Sequence, residues 1–294
     1  MLLALVFGLA LNPIAAARPA LSPGMVFCAR AVLRFGIILL GARVTTGELA
    51  GLGLPTIALA VGALAATLAG GWLIGRLMGL RSDLAALSAG AVAICGASAA
   101  LAIASVLPRR DDSDRNTTIT IVGVAALSTL AMVLYPLIAN ALGLDHRAAG
   151  VFLGASIHDV AQVVGAGFMI SPETGEIATV VKLMRVVCLA PAVAALGFLF
   201  RGQTDAKARA APVPLFVLGF LAFVLIRSSG LISPPAAGML AGASQWMLLI
   251  SVAALGAKTS FREIFAAGLK PLAALTAQTV LIGAIALAGA LLFI

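Results

Sequence analysis

Residues 154–162 read Gly-Ala-Ser-Ile-His-Asp-Val-Ala-Gln and interrupt an apolar run that extends from about residue 148 to 170. Moving a charge to the middle of a bilayer costs about 2.5–3.5 kcal/mol on the most lenient insertion scale. A chain that keeps His158 and Asp159 at such a depth must give them buried partners or a task, such as ligand binding or proton transfer. The segment therefore indicates a membrane span with a polar interruption.

The composition agrees with a chain embedded in a bilayer. Hydrophobic residues make up 62% of the 294 residues, charged residues make up 10%, and the mean hydropathy is +1.15. A polytopic membrane protein needs one apolar run of about 20 residues per helix. The net charge of +8 lies in short gaps between such runs, where it sets topology. We therefore expect the lipid bilayer as a partner, and no nucleic acid.

The apolar runs predict about ten transmembrane helices in a single polytopic domain that covers residues 1–294. Proline, glycine or charge marks most of the gaps between the runs. The expected fold class is an all-α integral membrane protein. The predicted spans are 1–17, 24–42, 53–75, 84–107, 117–140, 148–170, 177–200, 213–227, 236–257 and 271–294.

The lysines and arginines between the runs predict an orientation. Gaps after odd-numbered spans hold ten of these residues, and gaps after even-numbered spans hold five. Cytoplasmic loops carry the excess of positive charge. The odd-numbered gaps are therefore expected in the cytoplasm, and the mixed-charge loop 108–116 is expected on the other side.

An internal repeat links two distant parts of the chain, near residues 30–75 and 245–290. Leu-Gly-Ala-Arg at 40–43 recurs as Leu-Gly-Ala-Lys at 255–258, and the same offset aligns Glu48 with Glu263. A hydroxyl residue, Thr45 or Ser260, precedes each Glu by three positions, which is the spacing of a helix capping box. Two similar helix ends would also explain the match. Because the copies lie seven predicted spans apart, they predict inverted repeats, which are common in secondary transporters.

Two spans in a central core, residues 84–200, contain breaks. Small and polar residues interrupt the first at Cys95, Gly96 and Ser98, and Ser156 precedes Asp159 by the spacing of an N-cap in the second. A half-helix that begins at mid-depth would aim free N–H groups and about half a positive charge at the bilayer centre. Ordinary close packing of small residues is the other reading of the first break.

The polar residues of the second break share faces if the segment is helical. His158 and Gln162 are four positions apart, and Ser156 and Asp159 are three apart. They could form a polar network that only holds helices together, or a site for a substrate or protons. Histidine titrates near physiological pH, so His158 and Asp159 are the candidates for proton coupling.

Two cations, Lys182 and Arg185, lie on one face of the next span. Arg185 would sit near the middle of the bilayer, where its side chain cannot reach the headgroups. One reading pairs both cations with Asp159 in a buried salt bridge. The other leaves at least one of them to hold an anion, because the guanidinium fork fits an oxyanion.

Other features favour no enzymatic chemistry. The cysteines at 28, 95 and 188 are separated, so neither a disulfide framework nor a metal-binding pair is expected. The sequence shows no phosphate-binding loop, zinc-binding helix or nucleophile elbow. We therefore expect no enzyme activity, no metal and no cofactor. Arg30 and Arg34, four positions apart, are read as anchors of span two at the headgroups.

Four motifs together resemble a known family. Leu-Leu-Gly-Ala-Arg at 39–43, Ala-Ile-Cys-Gly-Ala-Ser-Ala-Ala at 93–100, Ser-Ile-His-Asp-Val-Ala-Gln-Val-Val at 156–164 and Val-Lys-Leu-Met-Arg at 181–185 occur in this order. The chain resembles the sulfate exporter family of bacterial inner-membrane proteins, long known only as conserved hypothetical membrane proteins. The resemblance covers essentially the whole chain. It implies a secondary-transporter fold with two discontinuous crossing helices, kinship with cation/proton antiporters and anion transporters, and export of sulfate or a related sulfur oxyanion.

The sequence thus predicts an inner-membrane exporter of a small anion, such as sulfate, sulfite or an organosulfonate, with proton coupling. A cation/proton antiporter centred on Asp159, an uncoupled anion channel and a membrane scaffold are the alternatives. The Gly- and Ala-rich spans suit a homodimer interface and packing within one chain equally well. The candidate substrate-binding residues are Cys95, Gly96, Ser98, Ser156, His158, Gln162, Lys182 and Arg185.

Overall fold

The computed structural model describes residues 2–200, 215–258 and 269–294, and these segments are helical. Within these described segments, six helices are long and apolar enough to cross a bilayer. In such an environment the backbone must satisfy its own polar groups, which a helix does within one segment. The prediction of an all-α, multi-pass membrane protein is confirmed. The six candidate spans are Ser22–Leu40, Gly53–Leu77, Ser113–Ala141, Pro172–Leu199, Pro234–Ala254 and Lys270–Phe293.

The helices are numbered in chain order. One span, α2, contains a π-helical turn at Cys28–Val32, and the span Pro172–Leu199 is divided at Cys188. The helices are α1 (Leu2–Ala17), α2 (Ser22–Leu40), α3 (Thr46–Gly51), α4 (Gly53–Leu77), α5 (Ser82–Ala93), α6 (Ala97–Ala104), α7 (Ser113–Ala141), α8 (His146–Ser156), α9 (Val160–Ile170), α10 (Pro172–Val187), α11 (Leu189–Leu199), α12 (Leu215–Ser228), α13 (Pro234–Lys258) and α14 (Leu269–Phe293).

Helices α5 and α6 form a re-entrant hairpin, hairpin 1 (residues 82–104), rather than a broken span. Arg81, just before α5, donates to both carboxylate oxygens of Asp112, at the end of the loop that joins α6 to α7, at 2.8 Å each. A straight passage of this length would put those two residues on opposite sides of the bilayer. The arms also touch, since a Cβ at Gly90 would overlap the side chain of Ile103. The chain therefore enters the bilayer, turns, and leaves on the same face.

Helices α8 and α9 form a second re-entrant hairpin, hairpin 2 (residues 146–170). The hydroxyl of Ser171, which follows α9, lies 3.1 Å from Nδ1 of His146, the first residue of α8. Asp145 caps α8 by accepting a bond from the Ala148 amide at 2.7 Å. Between the two hairpins α7 crosses the bilayer with 29 residues. Hairpin 2 therefore enters from the face opposite to that of hairpin 1.

These hairpins correct the predicted topology. The count of ten spans is not confirmed, because the predicted spans 84–107 and 148–170 each return to the face on which they start. We call the face that carries the base of hairpin 1 the basic face, because reassigning the gaps concentrates the cations there. Each connection is assigned to the face where its flanking helices end. Among the described residues at helix ends and connections, eight lysines and arginines then belong to the basic face, and three belong to the opposite face (Arg43, Arg147 and Arg227).

The helices pack in two layers. Helices α1, α2, α12 and α13 contact one another and form a four-helix layer, whereas α4, α7, α10 and α14 surround the hairpins and form a hairpin layer. Small residues allow close approach within these layers. A Cβ at Gly154 would overlap the Ala178 carbonyl and Val181 on α10. The hairpin tips consequently lie deep inside the protein, next to the four-helix layer.

The predicted repeat remains a prediction. In the first copy, α2 ends at Leu40 and residues 41–43 form a turn, whereas in the second copy residues 255–258 continue α13 to its end. The aligned residues Ser260, Glu263 and Gly268 lie outside the described residues.

Candidate functional site

The two hairpin tips meet near the middle of the bilayer. Tip 1 (residues 94–96) turns at Gly96, whose φ of +67° is unfavourable for a residue with a side chain. Tip 2 (residues 157–159) is extended at Ile157 and Asp159. A Cβ on Gly96 would lie 3.8 Å from the Cβ of His158, so the two tips are neighbours.

The N-cap of the second half-helix is Asp159, and not Ser156 as predicted. Ser156 is the last residue of α8, and its hydroxyl donates to the Phe152 carbonyl at 2.6 Å. Asp159 is the actual N-cap of α9, because its carboxylate accepts a bond from the Ala161 amide at 2.8 Å. A half-helix does begin in this segment, but Ser156 does not cap it, because its hydroxyl bonds back to the carbonyl four residues earlier in its own helix.

Lys182 and Arg185 of α10 bond to the ends of both hairpins. Lys182 Nζ donates to the carbonyls of Ile94, at 2.6 Å, and Ile157, at 2.8 Å. Both cations are completely buried. Arg185 lies about 20 Å along α10 at 1.5 Å per residue, close to mid-depth.

The guanidinium of Arg185 uses all five of its N–H groups. Nε donates to Ala93, Nη1 donates to Gly154 and Ile157, and Nη2 donates to Val92 and Ala93, with distances of 2.6–3.2 Å. These acceptors are carbonyls at the C-terminal ends of α5 and α8, which carry partial negative charge. The cations therefore neutralise two helix ends that would otherwise be unsatisfied inside the membrane.

This geometry differs from both predicted roles of the cations. Among the described residues, neither Lys182 nor Arg185 forms an ion pair with Asp159. Neither lines the cavity at the tips. The predicted salt bridge is therefore not formed in this structure, because backbone carbonyls occupy the donors that it would need.

The polar residues of tip 2 and of the first turn of α9 bond to α7 and α14. His158 Nε2 lies 2.9 Å from the Thr279 hydroxyl, and Gln162 donates to the Thr129 hydroxyl at 2.8 Å. The amide of Asp159 donates to Ser128 at 3.0 Å. His158 and Gln162 thus bond to different helices and do not share a helical face, because His158 precedes α9.

A cavity of about 290 Å³, the tip cavity, lies between the tips and the four-helix layer. The N-terminal end of α6 reaches it at Ala97 and Ser98, and Cys95 and Asp159 line it from the two tips. Leu101 and Leu189 extend it toward the basic face. Its other wall is α2, which contributes Arg30 and Arg34.

Arg30 and Arg34 were assigned wrongly to the headgroup region. Both line the tip cavity, and the Arg34 guanidinium lies 5.9 Å from the ring centroid of Phe216. Their position about one third to two thirds of the way along α2 was a usable signal, since a headgroup anchor belongs at a helix end. The hydroxyl of Thr279 was also missed, although it lies in the middle of the apolar run 271–294.

A second cavity of about 260 Å³, the opposite-face cavity, lies on the other side of the tips. Arg147, Glu173 and Glu176 line it. Arg43, which follows α2, forms a 2.6 Å ion pair with Glu176 at the start of α10. Arg147 donates to the Leu52 carbonyl at 2.8 Å. The Arg43–Glu176 ion pair joins the four-helix layer to the hairpin layer on this face, whereas Arg147 joins α8 to the start of α4.

The family model described as conserved hypothetical protein 698 matches residues 1–275. This chain belongs to that family. The resemblance drawn from the four motifs is thereby confirmed at the level of the family. No solved structure matches the chain.

Close relatives carry the same kind of name. The UPF0324 membrane protein TauZ of Paracoccus pantotrophus is 49% identical over 293 residues, which cover 98% of this chain and 87% of the relative. A UPF0324 membrane protein of Rhizobium meliloti is 46% identical over 293 residues, covering 98% and 85%. One of Chlorobaculum tepidum is 43% identical over 290 residues, covering 98% and 81%. These names describe membrane proteins and state no substrate.

Proposed function

We propose that this protein is a secondary transporter, and not an enzyme, that exports a small anion across the bacterial inner membrane. The observation that carries this proposal is the tip cavity, where the N-terminal end of α6 faces Arg30 and Arg34 at mid-depth. A helix N-terminus presents free N–H groups and partial positive charge. Non-helical backbone inside a membrane is tolerated where it lines a substrate cavity.

The C-terminal and N-terminal ends of the broken helices, which carry opposite partial charges, have different surroundings. Lys182 and Arg185 neutralise the two C-terminal ends, on the side of the tips away from the cavity. The N-terminal end of α6 has no side-chain cap and is left facing the tip cavity. The tip cavity thus has a positive electrostatic potential when no anion is bound, and this potential would attract a transported anion.

Each predicted residue takes a place in this proposal. Arg30 would neutralise the anion, while the amides after Gly96 and the Ser98 hydroxyl would donate to it. Lys182 and Arg185 would hold the tips in position rather than touch the substrate. Cys95 would line the site, and Ser156, His158 and Gln162 would support tip 2 from behind.

Asp159 would provide proton coupling, supported by His158 behind it. Asp159 shares the tip cavity with Arg30, so an arriving anion would compete with the carboxylate for the same cation. Loss of a cationic neighbour favours the protonated carboxyl. Anion binding and proton uptake would then be linked.

The two cavities support alternating access. They lie on opposite sides of the tips, and the Arg43–Glu176 ion pair joins the two layers beside the opposite-face cavity. Hairpins that enter from opposite faces also suit the inverted symmetry of secondary transporters. Opening that ion pair while the tip cavity closes would expose the substrate to the other compartment.

Flux in proteoliposomes tests the proposal. We expect pH-gradient-dependent movement of sulfate, sulfite or an organosulfonate, and we expect Arg30→Gln to abolish it. Arg109→Gln is the matched control, because Arg109 is exposed on the loop after hairpin 1. Anion flux that Arg30→Gln leaves intact would contradict the proposed site.

A cation/proton antiporter is the second candidate, and Asp159 favours it. This residue is the carboxylate among the described residues that line the tip cavity. If sodium or potassium alone dissipates a pH gradient, and Asp159→Asn prevents this, the antiporter is correct. Anion flux that ignores the pH gradient would instead indicate an uncoupled channel.

A further inference from the structure

The tip cavity is polar at one end and apolar along most of its walls. Its polar groups are Ser98, Asp159, Arg30 and Arg34, next to the start of α6. Hydrocarbon side chains from six helices make up most of the remaining surface. These apolar residues are Leu33, Ile37, Leu101, Val160, Val186, Leu189 and Phe216.

The two arginines are not equivalent. Arg34 stacks over Phe216, 5.9 Å from the ring centroid, which places its guanidinium against an apolar wall. The Arg30 side chain forms no hydrogen bond or ion pair with another described residue, although it interacts electrostatically with Asp159 in the same cavity. The cavity therefore offers one cation beside the α6 N-terminus whose N–H donors are unoccupied, enough for one charged group of a substrate.

An inorganic sulfate ion fits this surface poorly. Its oxygens point in all directions, and each one that faces hydrocarbon loses its hydrogen bonds to water without replacement. Anion sites that accept such an ion surround it with donors. Here donors lie on the side of α6 and Arg30, and leucine, valine and phenylalanine side chains face them.

The volume of the tip cavity also favours an organic anion over an inorganic one. Pockets for small organic molecules measure about 300–1,000 Å³ and are lined mostly by apolar groups with a few placed polar ones. The tip cavity, at about 290 Å³, lies at the lower end of that range. It has room for a short hydrocarbon segment beside the charged group.

We infer that the substrate is an amphipathic organic oxyanion, a sulfonate or carboxylate on a short hydrocarbon chain, and not inorganic sulfate. The charged group lies at the α6 N-terminus and Arg30, and the chain lies along Leu101, Val186 and Leu189. This inference rests on the proposed function and names the class of substrate for the same site.

Thermal unfolding of the purified full chain in detergent tests it. The midpoint is measured against increasing concentrations of sulfate, methanesulfonate, propanesulfonate and butanesulfonate at constant ionic strength. A ligand that binds the folded state raises the midpoint by mass action. Affinity is expected to rise about fourfold for each methylene buried, the equivalent of about 0.8 kcal/mol, with sulfate the weakest ligand.

Matched measurements separate the site from non-specific binding. Leu101→Ala is expected to flatten the chain-length series, because Leu101 is 60% exposed along the cavity wall. Leu134→Ala is the control, since Leu134 is 51% exposed and lies on α7 away from this cavity. 1-Butanol is expected to leave the midpoint unshifted at concentrations where butanesulfonate saturates.

The outcomes distinguish the two proposals. Sulfate binding as tightly as butanesulfonate would overturn the inference and leave anion transport standing. Equal shifts with 1-butanol would overturn it as well, because the walls alone would then bind the ligand. If no anion shifts the midpoint and none is transported, both the inference and the proposed function are wrong.

Discussion

Hairpin 1 and hairpin 2 have the same outline but different surroundings. Hairpin 1 packs arm against arm at Gly90 and Ile103, and its second arm is open to the tip cavity at Ser98 and Leu101. Hairpin 2 packs both arms on α10 and is buried along almost its whole length, from 148 to 167. Hairpin 1 therefore forms exposed surface at the site, and hairpin 2 supports the site from the protein interior.

The difference follows from where each hairpin keeps its polar groups. Hairpin 2 turns His158 and Gln162 toward hydroxyls on α14 and α7. Hairpin 1 holds an uncapped helix N-terminus at the cavity. Both hairpins bond to Lys182 and Arg185, so the stability of each tip depends on these two cations.

The largest expected effect comes from breaking that shared support. Arg185→Gln removes a cation and leaves carbonyls of both tips without partners in a buried site, at a cost of at least about 3 kcal/mol. We expect a large fall in the unfolding midpoint, or no folded protein. Lys182→Met removes two bonds instead of five and should cost less.

A folded Arg185→Gln protein with an unchanged midpoint would show that the tips are not held by this residue. Arg185→Lys is the charge-preserving control, since an ammonium with three N–H donors cannot replace all five hydrogen bonds of the guanidinium. It should lie between the wild type and Arg185→Gln in stability.

The second effect concerns the turn of hairpin 1. Gly96→Ala forces a side chain onto φ +67° and should cost about 1–3 kcal/mol. Gly62→Ala is the matched control, because Gly62 is helical and a Cβ there meets nothing within 4 Å. Equal unfolding midpoints for the two variants would contradict the turn described for tip 1.

The third prediction tests the difference in solvent exposure between the two hairpins. In a protein whose native cysteines at 28, 95 and 188 are replaced, Ser98→Cys should react with a water-soluble thiol reagent at least about tenfold faster than Ser156→Cys. Ser98 is exposed at the tip cavity, and Ser156 is fully buried. Mass spectrometry gives both rates, and similar rates would remove the distinction between the hairpins.

The fourth and smallest effect is at the base of hairpin 1. Bonds from Arg81 lower the pKa of the Asp112 carboxyl below its ordinary value. A lowered pKa contributes stability above the unfolded value of about 3.9, and this contribution is lost as the pH falls through the folded value.

Asp112→Asn should therefore lower the unfolding midpoint slightly at neutral pH, and the difference from the wild type should shrink below about pH 4. Asp111→Asn, exposed on the same loop, is the control. A difference that persists unchanged in acid would rule out the charged form of Asp112 as its source.

The class of fold and the positions of both breaks could be predicted from the sequence. Long apolar runs predicted helices, and the small or polar residues at 95–98 and 156–159 predicted where the helices stop. It did not predict that the chain turns back at these breaks. That depends on the pairing of Arg81 with Asp112 and of His146 with Ser171, which are distant in sequence and carry no local signature.

The roles within the site were harder to predict than its location. Lys182 and Arg185 were recognised as buried, but a sequence does not show that helix C-termini converge on them. Arg30 was interpreted as a headgroup anchor because its place on a cavity wall depends on how α2 packs beside the tips. A buried cation has several possible partners, and only the fold selects among them.

Labelling from either side of the membrane tests the central claim, that residues 82–104 are re-entrant, most directly. Single cysteines are placed in the cysteine-free protein at Met78, Asp111 and Leu142, which are all exposed. An impermeant thiol reagent is applied to sealed vesicles of one known orientation. If residues 82–104 are re-entrant, the cysteines at 78 and 111 are labelled from the same side and the cysteine at 142 from the other. Labelling of positions 78 and 111 from opposite sides would contradict it.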